Sequence, residues 1–219
     1  MDSYKAKEEV ASFLRRLYER HLTTTSGGNV SCRCDESRFA ITPGRLDKAG
    51  VEAEQIAVLT LSGTNETPSI EPSSEWFMHA LIYQRLPSVN AIVHGHPTTA
   101  SAFACSETPI RRDMMCETYA LLDPLIKVPY ARSGSRELAL RVADAAAASS
   151  CLLLQNHGVL TTGRDLLEAF TRLEIIEEAA RVTLIGLQIG GLRFLSEADR
   201  RELDAYMGRI PKDIGPTEQ

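Results

Sequence analysis

Apolar residues along the chain occur in two patterns. Some segments repeat them at helical spacing, and others are short runs in which apolar residues alternate with polar ones or follow one another directly. Residues 4–21 place Val10 and Leu14 among further apolar residues at helical spacing, which predicts an amphipathic helix. Residues 55–61 (QIAVLTL) and 151–155 (CLLLQ) are short apolar runs of the kind found in buried strands. Segments of both kinds alternate along the chain, and an α/β fold is therefore expected.

The remaining segments continue this alternation. Further helices are predicted over residues 73–87, 98–105, 135–148 and 164–189, and further strands over residues 29–34, 38–43, 90–96, 125–131 and 157–163. No repeat, low-complexity tract or linker divides these segments. We therefore predict a single domain over residues 1–207 and a C-terminal tail, 208–219, that is mobile in isolation. The alternation by itself favours a mostly parallel sheet.

Composition narrows the class of partner. The chain has 219 residues, of which 43% are hydrophobic and 24% charged, enough for one domain with a sizeable core. Its formal net charge of -5 argues against a nucleic-acid interface, which would need a basic face. We therefore expect small molecules or other subunits as partners, and no nucleic acid.

The termini and cysteines predict a cytoplasmic protein. Residues 1–22 are charged throughout, unlike a signal peptide or a membrane span. No other stretch approaches the roughly 18 consecutive apolar residues of a membrane helix, so no membrane contact is expected. The 5 cysteines are odd in number and lack C-x-x-C spacing, which favours neither a disulfide framework nor a thiolate zinc site. Cys32 and Cys34 are instead expected on one face of a strand.

Candidate chemistry begins at AIVHGHPTT, residues 91–99, where two histidines are one residue apart. In a strand, side chains at i and i+2 share a face, so His94 and His96 would project together. Such a pair is either a set of metal ligands or a polar pair within a sheet. His157, which follows the apolar run 151–155, would supply a third ligand, although a turn histidine bonded to the backbone is the alternative. Three histidines and one open position suit zinc or a similar divalent ion.

A polar loop between the first helix and the first strand favours an anion. In TTTSGGNVS, residues 23–31, the glycine pair allows several backbone N–H groups to turn toward one phosphate. Ser26, Gly28 and Asn29 would contribute further donors. A plain glycine turn explains the same composition.

A second candidate anion site lies in EPSSEWF, residues 71–77. Ser73 and Ser74 are predicted to begin a helix, where free N–H groups and two hydroxyls favour phosphate. Glu75 is then either a carboxylate favoured by the helix dipole, or a general base or fourth metal ligand beside that phosphate.

These motifs together resemble the class II aldolase/adducin family. SGGNVS, ITP, PSSEW, HGHP and NHG occur in the order and spacing of that family, and the likeness covers residues 8–190. The resemblance implies a three-layer α/β/α sandwich around a central, mostly antiparallel sheet, and on strand direction we follow it. It also implies a homotetramer with active sites between neighbouring subunits.

The resemblance implies a role for each matching residue. It makes His94, His96 and His157 ligands of Zn²⁺, and it makes Glu75 the acid/base, which also coordinates zinc when no substrate is bound. The phosphate of the substrate would be held by Ser26, Gly28, Asn29, Gly44, Ser73 and Ser74. The implied reaction is the reversible cleavage of a ketose 1-phosphate to dihydroxyacetone phosphate and a short aldehyde through an enediolate.

Departures from the family pattern leave two alternatives. After ITP the chain has GRLDK where a Thr-Gly pair is expected, so that Arg45 or Lys48 would add charge beside Gly44. The tyrosine expected to protonate the aldehyde oxygen has no clear match, and Tyr119 is either its substitute or a core residue. Tyr206 is either a second functional tyrosine or a packing residue on a final helix. The alternatives are a zinc-dependent 3-oxo-tetronate 4-phosphate decarboxylase of the same family and an adducin-like interaction module without enzymatic activity.

Two acidic residues on the predicted helix 164–189 could play either of two roles. Glu174 and Glu177 would either support the metal ligands through hydrogen bonds or lie on a solvated or salt-bridged face of the helix.

Overall fold

The computed structural model describes residues 2–210, through which helices and strands alternate. The strands are β1 (Asn29–Arg33), β2 (Arg38–Ile41), β3 (Ala57–Thr60), β4 (Ala91–Gly95), β5 (Ile126–Val128), β6 (Cys151–Leu154) and β7 (Gly158–Gly163). The α-helices are α1 (Ser3–Glu19), α2 (Trp76–Arg85), α3 (Thr98–Ala104), α4 (Cys116–Leu121), α5 (Arg136–Ala146), α6 (Leu166–Ile189) and α7 (Glu197–Tyr206). Two short 3₁₀ helices, Lys48–Gly50 and Ala53–Gln55, lie between β2 and β3. Most of the predicted tail, residues 211–219, lies outside the described residues.

The strands form one sheet in the order β3-β2-β1-β4-β7-β6-β5. All neighbouring pairs are antiparallel except β5 and β6, which are parallel. The mostly antiparallel sheet is therefore confirmed, and the parallel sheet favoured by the alternation alone is wrong. For β1–β2 and β6–β7 the physical reason is that short turns, residues 34–37 and 155–157, join the two strands as hairpins, which are antiparallel by geometry.

Helices cover both faces of the sheet, and the three-layer α/β/α sandwich is confirmed. On one face, α1, α3 and α6 contribute Val10, Phe103 and Phe170 to a buried apolar cluster. On the other face, α2 and α5 contribute Ile82 and Val142 to a second cluster. Within the described residues, no helix is both long and apolar enough to cross a membrane.

The central strand β4 distributes its side chains between the two clusters. Val93 packs with α1 and α6, and Ile92 packs with α2 and α5. By the same alternation His94 points to the α2 face. Gly95 points to the other face, where a Cβ would lie 2.8 Å from the carbonyl oxygen of Leu22. The strand thus carries His94 into the layer between the sheet and α2.

Some predicted boundaries differ from the structure. Helix α2 begins at Trp76 and not at Ser73, because Ser73 donates its N–H to the carbonyl of Thr42 (3.0 Å) and Pro72 bridges Pro43. These contacts hold the segment extended against the end of β2. Helices α4 and α7 match no predicted segment, since α4 is short and α7 has no buried residue to form an apolar stripe.

The environment of the cysteines predicts their reactivity. Cys32 and Cys34 pack in the α1-side cluster and Cys151 is also buried, whereas Cys105 and Cys116 are exposed. Burial raises the pKa of the Cys32 thiol, and it raises the pKa of Cys151 to about 11, so little reactive thiolate forms. We expect a thiol reagent to label two cysteines rapidly in the native protein and all five only after unfolding. Rapid native labelling of Cys32 or Cys151 would contradict this placement.

Candidate metal centre

His94, at the end of β4, is fully buried and has a defined tautomer when neutral. Its Nδ1 lies 2.8 Å from the carbonyl oxygen of Val159 on β7. Because a carbonyl oxygen only accepts hydrogen bonds, Nδ1 donates and the lone pair of the neutral ring lies on Nε2. Nε2 is therefore the atom that this histidine offers to a metal.

His96 and His157 bring their rings to the same point. Nε2 of His96 is 3.2 Å from Nε2 of His94. The ring centroid of His157 lies 4.7 Å from that of His94 and 5.2 Å from that of His96. One ligand atom from each histidine lies within 4.8 Å of the other two. The fold thus brings together the three histidines that the sequence presents as candidate ligands; we call them the histidine cluster.

The protonation states of these rings suit metal binding. Burial, with His94 nearby, lowers the pKa of His96 to about 3 and that of His157 to about 4. Nδ1 of His157 is buried without a hydrogen-bond partner among the described residues, so this ring is not a turn histidine bonded to the backbone. Burial also opposes protonation of His94, but the neighbouring Glu75 carboxylate outweighs it and raises the pKa of His94. The two neutral imidazoles converge with His94 on one space, and a divalent transition-metal ion fits this set once it takes the place of the proton on Nε2 of His94.

Glu75, at the N-cap position of α2, places a carboxylate beside the histidine cluster. Its Oε2 lies 3.3 Å from Nε2 of His94, and its Oε1 lies 3.7 Å from Nε2 of His157. Burial opposes ionisation of Glu75, but His94 and the hydrogen bond from Asn29 outweigh it and hold the pKa of Glu75 well below its usual range. Glu75 is therefore a carboxylate that can act as a base or as a metal ligand.

Each carboxylate oxygen of Glu75 accepts a hydrogen bond from another loop or strand. Nδ2 of Asn29 donates to Oε2 (2.9 Å), and Oγ of Ser133 donates to Oε1 (3.0 Å). Ser133, between β5 and α5, is absent from the residues predicted for the site. The signal for it is ARSGS, a run of small polar residues directly after a strand, since such loops often carry functional groups.

Two glycines make room for the His96 ring. A Cβ at Gly27 would lie 2.3 Å from Nδ1 of His96, and a Cβ at Gly158 would lie 2.5 Å from its Cδ2. Gly158 also approaches the backbone, where its Cβ would lie 2.6 Å from the carbonyl oxygen of Gly95. The glycines of the SGGN and NHG motifs are thus required by close packing around a candidate ligand.

The residues predicted to bind phosphate are Ser26, Gly28, Asn29, Gly44, Ser73 and Ser74. The side chains of Ser26 and Ser74 are exposed, and Ser73 is buried. Two of the donors are already used: the N–H of Gly44 donates to the carbonyl of Glu71 (3.0 Å), and the Asn29 amide is bonded on both sides. The phosphate-binding roles stay predictions.

The charged and aromatic candidates have different environments. Lys48 is buried and donates through Nζ to the carbonyl of Thr25, next to Ser26, and burial lowers its pKa. Tyr119 donates its hydroxyl to Asp204 on α7 (2.9 Å), whereas Tyr206 is 78% exposed. Among the contacts of residues 2–210, none joins either tyrosine to the histidine cluster.

Glu177 supports the segment that follows His96. Its buried carboxylate accepts the N–H groups of Thr99 (3.1 Å) and Ala100 (2.8 Å), at the start of α3. It therefore neutralises free donors of that helix. It also accepts from Nε of Arg181 (3.0 Å), so Glu177 is buried and salt-bridged, and not on a solvated face. Glu174 differs, since it is partly exposed and pairs with Arg20 at 3.6 Å.

Comparison with known proteins agrees with this geometry. Residues 8–184 match the family model of the Class II Aldolase and Adducin N-terminal domain. The chain belongs to the class II aldolase/adducin family. The predicted resemblance, and with it the prediction of an enzyme of this family, is confirmed.

The relatives of this class II aldolase chain differ in their named activities. A 3-oxo-tetronate 4-phosphate decarboxylase from Haemophilus influenzae is 31% identical over 208 residues, which covers 93% of this chain and 98% of the relative. An L-fuculose phosphate aldolase from Methanococcus maripaludis is 34% identical over 177 residues, which covers 81% and 95%. A solved structure named L-fuculose 1-phosphate aldolase has a TM-score of 0.84 at 29% identity, and the match covers 94% of this chain and 97% of that one.

Membership of the family gives the site its general chemistry. Class II aldolases depend on a metal and act on sugar phosphates, and the histidine cluster provides ligands of the required type.

The packing of His96 predicts the effect of a small substitution. In Gly158→Ala, the new methyl group would displace the His96 ring or the backbone of Gly95, so we expect metal affinity to fall on the order of tenfold or more. The measurement is bound metal per chain after dialysis against a graded series of chelator concentrations. Gly50→Ala is the matched control, because a Cβ there meets nothing within 4 Å. Equal metal retention by both variants would contradict the prediction that close packing at Gly158 holds His96 in position to bind the metal.

Proposed function

We propose that this protein is a zinc-dependent class II aldolase that reversibly cleaves a ketose 1-phosphate to dihydroxyacetone phosphate and a short aldehyde. The observation that carries the proposal is the buried carboxylate of Glu75, 3.3 Å from Nε2 of His94 at the histidine cluster. A base beside a metal is suited to proton transfer at a carbon next to a carbonyl. The relative named L-fuculose phosphate aldolase supports the same activity.

In this mechanism Glu75 moves a proton at C3 of dihydroxyacetone phosphate. His94, His96 and His157 would hold zinc through ring nitrogens, and the bound ion would polarise the C2 carbonyl and stabilise the enediolate. In condensation the Glu75 carboxylate removes the C3 proton, and after cleavage Glu75 returns a proton to the same carbon. The hydrogen bonds from Asn29 and Ser133 orient the two carboxylate oxygens for this transfer.

We place the phosphate group of the substrate at the loops that carry the predicted anion-binding residues. Ser26 and Ser74 expose hydroxyl groups there, and the buried ammonium of Lys48 lies next to the Ser26 loop. Gly28 and Ser73 lie on the same loops. Asn29 and Gly44 would join them only after exchanging the hydrogen bonds that they make within the protein.

The proposed assembly is a homotetramer with active sites at subunit interfaces. Helix α6 supports an interface because its C-terminal part exposes a row of apolar side chains. These are Leu184, Ile185, Leu187 and Ile189, with exposed fractions of 42%, 54%, 51% and 78%.

Decarboxylation of a 3-oxo-tetronate 4-phosphate is a second candidate function. The hydroxyl of Tyr119 donates to Asp204, so it is not positioned to protonate an aldehyde oxygen. Lys48 adds a cation that suits a substrate with a carboxylate as well as a phosphate. The Haemophilus influenzae relative carries the name of this activity. Loss of carbon dioxide would leave the same enediolate, so Glu75 would protonate it in both reactions.

A substrate panel separates the two activities. We expect zinc-loaded protein to release dihydroxyacetone phosphate and an equal amount of aldehyde from at least one ketose 1-phosphate, and chelator-treated protein to release neither. The measurement is a coupled assay for dihydroxyacetone phosphate, with aldehyde and carbon dioxide determined in parallel. If dihydroxyacetone phosphate forms only from the 3-oxo-tetronate 4-phosphate, together with carbon dioxide, and from no ketose 1-phosphate, the protein is the decarboxylase and not the aldolase. If zinc-bound protein releases dihydroxyacetone phosphate from none of these substrates, the adducin-like interaction module is the remaining function.

The role of Glu75 predicts a loss of turnover without a loss of metal. Glu75→Gln keeps the shape of the side chain but removes the base, so we expect turnover to fall about 10²- to 10⁴-fold with zinc content unchanged. The control is Glu71→Gln, which makes the same charge change at an exposed position of the same segment and should keep wild-type turnover. An active Glu75→Gln variant would remove this residue from the mechanism.

A further inference from the structure

A chain of buried polar side chains leads from Glu75 into the layer between the sheet and α2. It is formed by Glu75, Asn29, His79, Ser31 and Tyr83, whose exposed fractions are 6%, 3%, 0%, 0% and 1%. His79 is not part of the histidine cluster, and the mechanism above does not use it. Its complete burial calls for a physical reason, because buried polar groups cost stability unless they are hydrogen-bonded.

The hydrogen bonds at His79 have one consistent direction. The Asn29 amide donates through Nδ2 to Glu75, so its Oδ1 faces His79 at 2.6 Å and accepts from Nε2. With the proton on Nε2, Nδ1 carries the lone pair and accepts from the hydroxyl of Ser31 (2.7 Å). Ser31 in turn accepts from the hydroxyl of Tyr83 (2.8 Å). Every donor in the chain therefore points toward Glu75.

The neutral state of the ring agrees with this assignment. Burial, with His94 nearby, lowers the pKa of His79 to about 3, so at neutral pH it has one N–H and one lone pair. The opposite tautomer would turn a lone pair toward Oδ1 of Asn29. The amide would then have to flip and place its oxygen against the Glu75 carboxylate, 2.9 Å away, where two acceptors repel.

We propose that His79 is a positioning residue that acts through Asn29: its Nε2–H fixes the Asn29 amide so that only the NH₂ group faces Glu75. The inference rests on the proposed role of Glu75 in proton transfer. It gives Asn29 a task within the protein, as the link between a buried histidine and the carboxylate. Without it, Oε2 of Glu75 would keep His94 as a neighbour but lose an oriented donor.

Two amide substitutions at His79 test the position of the donor. His79→Gln places a nitrogen near the former Nε2 and can still donate to Asn29, whereas His79→Asn reaches only the former Nδ1 position and leaves Asn29 without that donor. We expect His79→Asn to lower kcat on the order of 10- to 100-fold with KM and zinc content unchanged, and His79→Gln to keep most of the wild-type kcat. A role in packing alone predicts equal loss in both variants.

Two further variants keep the test independent of folding at position 79. Tyr83→Phe leaves the Ser31 hydroxyl free to donate to His79, so kcat should match the wild type. Ser31→Ala removes the donor to Nδ1 of His79 but leaves Nε2–H facing Oδ1 of Asn29, so it should lower the melting temperature and keep most of the wild-type kcat. Melting temperatures of all variants separate stability from kcat, and a kcat loss in Tyr83→Phe or Ser31→Ala as large as that in His79→Asn would contradict the proposal.

Two measurements distinguish failure of this inference from failure of the proposed function. In wild-type protein, ¹H–¹⁵N spectra should show His79 protonated on Nε2, whatever the substrate is, and protonation on Nδ1 would overturn the inference. The second measurement is exchange of the C3 proton of dihydroxyacetone phosphate in D₂O, a half-reaction common to both candidate activities. No exchange by wild-type protein would contradict the role of Glu75, whereas equal exchange by wild type and His79→Asn would contradict only the role of His79.

Discussion

The site depends on keeping one carboxylate, that of Glu75, charged in a nearly buried position. A carboxylate removed from water is stable only where donors and positive charge replace the lost hydration. Here Asn29 and Ser133 each donate to one oxygen, and His94 lies beside Oε2. The three partners come from β1, from the loop after β5 and from β4. The carboxylate is therefore satisfied only when distant parts of the sheet and α2 are correctly assembled, which links the fold directly to the proposed base.

The histidine cluster could be predicted from sequence because its signals are local. An apolar run ends in His94, and the strand alternation sets which face it takes. His157 follows the next buried run that reaches the same edge. Strand direction could not be predicted in this way, because periodicity identifies a strand but not its neighbour, and β4 pairs with β1 and β7 from distant parts of the chain. The start of α2 was likewise set by a tertiary contact, the hydrogen bond from Ser73 to Thr42, against a local capping signal.

The buried network behind Glu75 was missed, although its spacing is visible in the sequence. Asn29 and Ser31 are two residues apart in a strand and share a face. Residues 75, 79 and 83 are four apart along a helix and also share a face. Residue type alone assigned Asn29 to phosphate, because an amide beside two glycines resembles an anion loop. Once β1 packs on α2, the same amide is enclosed, and it must satisfy its donors and its acceptor within the protein.

The two candidate reactions make the same demand on this half of the site. Each passes through an enediolate that carries a phosphate at one end and is protonated at carbon by one acid. Glu75, its hydrogen-bond network and the histidine cluster therefore do not distinguish an aldehyde from carbon dioxide as the second product.

The choice between the two reactions must depend on groups that contact the part of the substrate lost on cleavage. An aldolase needs a proton donor near the carbonyl oxygen that forms on the aldehyde, whereas a decarboxylase needs a cation for a carboxylate before it leaves. In this chain the hydroxyl of Tyr119 donates to Asp204, while Lys48 places a buried ammonium beside the loop that is predicted to bind phosphate. An aldolase would then need a donor for the aldehyde oxygen from a neighbouring subunit of the proposed tetramer or from a rearranged α4 segment, so the proposed assembly bears on which of the two reactions the protein catalyses.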